Sequence, residues 1–96
     1  MDPAGVKLAK RLVHVALDRY YTVSVQSGPD WTIERSRSAR DIFKAMFLEE
    51  PERLRFRTML GKFVGDVMIV YSFGEDAFVD WSNKQDIKML IEEAKK

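Results

Sequence analysis

The sequence predicts an α+β fold: a twisted antiparallel sheet of about five strands with three helices, in the order α-β-β-α-β-β-β-α. Three observations predict it. Apolar residues recur at helical spacing in three separate stretches, period-two alternation marks the stretches between them, and the connections are short enough to favour antiparallel neighbours. With 96 residues, 46% hydrophobic, the chain is expected to form one domain spanning residues 1–96.

Asp2 is placed to cap a first helix, and Pro3 to occupy its first position, where a missing N–H costs nothing. Val6, Leu8, Ala9, Leu12, Val13, Val15, Ala16, Leu17 and Tyr20 then form a wide apolar arc opposite Lys7, Lys10, Arg11, His14 and Asp18. Tyr21, Val23 and Val25 alternate with Thr22, Ser24 and Gln26, the SerGlyProAsp sequence at 27–30 turns the chain, and Trp31 to Glu34 returns as a strand. Ser36 or Ser38 can start the second helix, and Ser38 is preferred because Asp41 lies three residues on, an Asp variant of the capping box. The second helix carries Ala39, Ile42, Phe43, Met46 and Phe47 and stops at Glu49-Glu50-Pro51.

Leu54 and Phe56 alternate with Arg53, Arg55 and Arg57 ahead of a Gly61-Lys62 turn. Phe63 to Phe73 is the longest β-rich run, with a bulge or turn expected near Gly65-Asp66. A turn at Gly74–Asp76 leads to a short strand, Phe78 to Trp81. Ser82 or Asn83 is expected to cap a last helix with a core stripe of Ile87, Leu90, Ile91 and Ala94.

Composition excludes several chemistries. Without cysteine there is no disulfide framework, thiolate metal site or cysteine nucleophile, and a single histidine permits no His-pair metal motif. No serine sits in a Gly-x-Ser-x-Gly turn, and the glycines form no phosphate loop. The acidic set Asp66, Glu75, Asp76, Asp80 and Asp86 matches no calcium loop and reads as turn and cap residues. His14, among lysines and an aspartate, reads as an exposed surface group. The expectation is a non-enzyme without cofactor. The N-terminal sequence is not a signal peptide, and Val67 to Tyr71 is too short for a bilayer span, so a cytoplasmic protein with no membrane partner is expected.

The clearest functional pattern is basic. Arg53, Arg55 and Arg57 should leave one sheet face together, while Arg35, Arg37, Arg40 and Lys44 cluster around the start of the second helix. Residues 1–62 hold 12 basic and 8 acidic groups, net +4, and residues 63–96 hold 4 and 7, net −3. Such a surface suits a protein partner. The alternative is a nucleic acid, with the arginines on phosphates and Trp31 or Tyr71 stacking a base, though a total charge of +1 disfavours broad phosphate binding. The bland reading pairs the arginines with Glu34, Glu52 or Glu75. Met68 and Val70 alternate with the core-facing residues of their strand. If helices cover only one face, they contribute to a partner surface or a homodimer.

Tyr21-Thr22-Val23-Ser24-Val25, Trp31 and Ser36, the run Gly61 to Tyr71, and Asp80-Trp81-Ser82-Asn83 together resemble small, mostly uncharacterised bacteriophage- and prophage-encoded proteins. Those proteins carry Gly-Asn after the Val-Tyr pair, where this chain has Ser72-Phe73-Gly74. The resemblance implies an accessory protein of an infected bacterium that binds a host or phage macromolecule. It implies no catalytic residues.

Overall fold

A computed structural model describes residues 1–96. Helix α1 (Pro3–Asp18) leads into strands β1 (Thr22–Ser27) and β2 (Asp30–Ser36), and helix α2 (Ala39–Ala45) follows. Strands β3 (Glu52–Arg57) and β4 (Phe63–Ile69) come next, then a 3-10 segment (Tyr71–Asp76), strand β5 (Phe78–Trp81) and helix α3 (Gln85–Ala94). The five strands form one antiparallel sheet in the order β2-β1-β3-β4-β5. An α+β fold with a five-stranded sheet is therefore present, and the 3-10 segment adds a fourth helical element to the expected order.

Local sequence explains the starts of the first two helices. Asp2 accepts the Ala4 N–H at 2.9 Å, and the Ser38 hydroxyl accepts the Asp41 N–H at 3.2 Å. Helix α1 ends before Tyr20, which is left-handed (φ 63°) and exposed instead of joining the apolar arc. Ser82 and Asn83 do not cap α3; Lys84 stands at that position without a side-chain cap bond. The Ser82 hydroxyl instead accepts the Asp66 N–H at 2.9 Å, tying the chain to β4.

All three α-helices supply the core, which lies on one face of the sheet. Leu12, Val13, Ile42, Ile87 and Leu90 meet Val23, Val25, Leu54, Phe56, Val67 and Ile69 there, all fully buried. Gly65 faces α3, where a Cβ would collide with the Ile87 side chain. The β3–β4 register shifts beside it, with Phe56 opposite Gly65 and Arg57 opposite Phe63, so the expected bulge is present in an otherwise continuous strand.

Glu52 organises the segment between α2 and β3. It is fully buried, and one carboxylate oxygen accepts the Phe47 N–H at 2.8 Å and the Tyr71 hydroxyl. The other accepts the Leu48 N–H, the Glu49 N–H and the Ser27 hydroxyl at 2.9, 3.2 and 2.8 Å. This grip pulls the chain out of the helix at Met46, one turn earlier than the apolar spacing suggests. Across Pro51, Glu50 accepts from the backbone N–H and hydroxyl of Ser72. The two carboxylates bend Tyr71–Asp76 into the 3-10 segment where the β-rich run was expected to continue to Phe73.

Tyr71 is buried, closed to any stacking role, and its ring lies 5.0 Å from that of Phe47. Burial, and then the hydrogen bond and charge of Glu52, push its hydroxyl pKa far up. Helix α1 crosses this segment at Gly5, where any Cβ would run into the Tyr71 carbonyl oxygen.

Two stability predictions follow from these contacts. Glu52→Gln puts an amide donor among five donors and should cost about 3 kcal/mol, against about 1–2 for Tyr71→Phe, in urea unfolding at neutral pH. Gly5→Ala should destabilise by about 1–2 kcal/mol in the same measurement, because overpacking against backbone outweighs a helix-propensity gain of about 1 kcal/mol.

Candidate binding face

The helices leave the second face of the sheet uncovered. Burial alternates along β3, so Glu52, Leu54 and Phe56 enter the core while Arg53, Arg55 and Arg57 emerge together, as the spacing predicts. Register places Ser24 and Asp66 on either side of Arg55, Gln26 and Met68 on either side of Arg53, and Trp31 beside Gln26. Phe63, opposite Arg57, completes the row.

These arginines are not free cations. Arg55 grips Asp66 side-on, with Nε donating to Oδ1 at 2.8 Å and Nη2 to Oδ2 at 3.0 Å. Arg53 Nη1 donates to the same Oδ2 at 2.9 Å, and Arg57 Nη1 donates to the Gly61 carbonyl at 3.3 Å. The expected partners Glu34, Glu52 and Glu75 take no part. Asp66 itself was expected in a turn; it lies inside β4, pointing at the arginine row, because the bulge at Gly65 does not break the strand.

Burial pushes the Asp66 carboxyl pKa up, but the hydrogen bonds and charges of Arg55 and Arg53 outweigh it and hold the group below its ordinary value of 3.8. The hydrogen bond to Asp66 raises the already high pKa of Arg55, against the opposing effect of burial. The Arg55 guanidinium carbon also lies 4.8 Å from the centre of the Trp31 ring and 5.4 Å from that of Phe63. Ser24, nearly fully buried, is the β1 neighbour of Arg55.

The other basic residues do not extend this row into one patch. Arg35 is exposed at the rim, its backbone N–H donating to the Ser24 hydroxyl at 2.8 Å. Arg37 donates through Nη1 to the Leu17 and Tyr21 carbonyls at 2.9 and 2.7 Å, closing the end of α1. Arg40 and Lys44 are exposed on α2, in the helical layer. The expected single basic surface is thus divided between the two layers, and its sheet portion is partly neutralised. Met68 stands on the same face as Arg53, half-buried, while Val70 follows the end of β4 and donates its N–H to the Ala77 carbonyl at 2.9 Å.

A cleft of about 180 Å³ lies at the β4–β5 side of this face, lined by Arg53, Asp66, Met68, Asp80, Trp81 and Ser82. A wider depression of about 600 Å³ elsewhere mixes Lys7, Arg11 and Lys95 with Glu75 and Asp76, so it presents no single sign of charge. His14 is exposed and sits edge-on to Phe43, with 5.4 Å between ring centres. No three His, Asp or Glu side chains gather as a metal-binding group, and no helix is long and apolar enough to cross a membrane.

Trp31 was singled out in the sequence only as a base-stacking candidate, and neither Phe63 nor Asp66 was assigned to the face. The signal for all three is the hairpin register: counting back from the Gly61 turn, with one bulge, sets Asp66 opposite Arg55. No family model, curated protein or solved structure matches the chain.

If the Asp66 pairing holds the face together, stability should follow the protonation of that group. A folded-state pKa below 3.8 contributes stability that is fully present above that value and is lost as pH falls through the folded value. Asp66→Asn should therefore unfold at lower urea than the wild type at neutral pH, with the difference shrinking as pH falls below about 4. A difference that stays constant down to acid pH would show that the ion pairs contribute nothing.

Proposed function

We propose that this chain is a non-enzymatic accessory protein that binds a protein partner through the uncovered sheet face. The observation that carries the reading is the Trp31–Arg55–Phe63 row, held in place by Asp66 on a sheet whose helices all lie on the other side. Tryptophan and arginine are the residue types that most often dominate protein interfaces, and side chains already fixed in place lose little entropy on docking. Arg53, Arg57 and Met68 surround the row, and Arg35 stands at its rim. The resemblance to phage and prophage proteins supports a setting in the cytoplasm of an infected bacterium, with a host or phage protein as partner.

The same face supports nucleic-acid binding less well. Two of its arginines share one carboxylate, which offsets one of the three positive charges in the row and weakens its capacity to replace counterions on phosphates.

Affinity capture from extract of the source cell tests the reading. Wild type and an Arg40→Glu/Lys44→Glu variant, altered only in the helical layer, should retain the same partner. Trp31→Ala should weaken its binding by about 2 kcal/mol or more. Equal recovery by the Trp31→Ala and Met68→Glu variants would overturn the assignment of this face. Salt-sensitive retardation of DNA or RNA would favour the nucleic-acid alternative, and a concentration-dependent dimer lost in Met68→Glu would identify a second copy as the partner.

A further inference from the structure

Arg55 and Arg53 use Asp66 differently. Arg55 presents the Nε/Nη2 edge of its guanidinium, the edge that matches both oxygens of a carboxylate, whereas Arg53 donates only Nη1. The matching edge of Arg53 is left over. Its Nε is buried without any hydrogen-bond partner, the only such side-chain atom in the protein. An unpartnered buried donor on a charged group is costly, and native structures seldom keep one without a use.

The surroundings of that donor suit an acceptor. Arg53 lines the 180 Å³ cleft with Ser82 and Trp81. Ser82 accepts the Asp66 N–H, which leaves its hydroxyl proton free to donate. Asp66 has both oxygens occupied by the two arginines. Asp80, exposed at the rim, turns one oxygen back to the Trp81 N–H at 2.9 Å. Met68, directly across the strand pair from Arg53, is an unbranched side chain that adapts readily to an incoming group.

We infer that the cleft between β4 and β5 is a carboxylate-binding subsite, in which the free Nε/Nη2 edge of Arg53 and the Ser82 hydroxyl take an acidic side chain of the docked partner. This rests on the uncovered face being the docking face and adds the chemistry that the partner must present there. Arg53 would then hold one carboxylate of its own chain and one from outside, with Met68 against the aliphatic part of the incoming side chain.

N-acetyl-glutamate amide is a suitable probe, with N-acetyl-glutamine amide as its uncharged match, followed by heteronuclear NMR of the wild-type protein. The charged probe should shift the Arg53 Nε–H and the Met68, Asp80 and Ser82 amide signals saturably at millimolar concentration. The glutamine probe should bind at least about tenfold more weakly. Arg53→Lys keeps a cation beside Asp66 but lacks the bidentate edge, so it should lose binding by about tenfold while its spectrum stays that of the folded protein.

The inference is overturned by no saturable shift at the cleft, by equal binding of the two probes, or by unchanged binding by Arg53→Lys. Shifts spread evenly over Arg35, Arg40 and Lys62 would count as failure too. Because the probe needs no partner, failure here with loss of the captured partner in Trp31→Ala would remove the subsite and leave the docking face standing. Failure of both would remove both.

Discussion

A carboxylate with no access to water organises this fold. Glu52 collects three consecutive backbone N–H groups and two hydroxyls from elements far apart in the chain. Each of those donors would otherwise be buried unpaired or would have to face solvent. By gripping 47–49 it ends α2; by bonding Ser27 it holds the β1–β2 hairpin; by taking the Tyr71 hydroxyl it positions the 3-10 segment on which α1 rests at Gly5. The hydrophobic core packs around a framework that this polar knot defines. The layers could form without it, but α2, the 3-10 segment and α1 would lose their common anchor.

The helix-free face has a second and weaker organiser. Asp66 neutralises part of an arginine row and fixes its geometry, so the face is a set of aimed side chains instead of a mobile cationic fringe. Both partners keep some solvent contact, which limits what the pairs contribute to stability. Their main consequence is positional. Arg55 is held between Trp31 and Phe63 while Arg53, bound by one nitrogen, keeps its better edge unused. Net charge hides this arrangement: the +4 and −3 segments of the chain meet across β3 and β4, where opposite signs pair.

What the sequence made legible is what depends on local periodicity. The α1 and α2 caps, the α3 core stripe, the Arg53/Arg55/Arg57 alternation and the bulge at Gly65 all follow from residues within a few positions of each other. What escaped depends on contacts across the chain. The early end of α2 and the 3-10 segment answer to Glu52 and Glu50, and a glutamate beside a proline gives no local sign of accepting N–H groups from the preceding loop. Asp66 looked like a turn residue because glycine precedes it, yet its role is set by the strand opposite. Ser82, apparently a helix cap, was claimed by the Asp66 N–H. In each case a polar side chain passed over its local use to meet a long-range need.

That pattern bears on where function resides. Long-range polar needs inside the molecule are met almost without remainder: the Glu52 oxygens, both Asp66 oxygens and the Arg37 guanidinium all have partners within the chain. A guanidinium edge left open against that background differs from the rest of the molecule. Were the arginine row only a solvated sheet face, Arg53 would point its unused donors into water, where they cost nothing; instead one of them is shielded and unpaired. Retaining the open edge beside a cleft, on the one sheet face that no helix covers, is the arrangement expected when the missing acceptor arrives with another molecule.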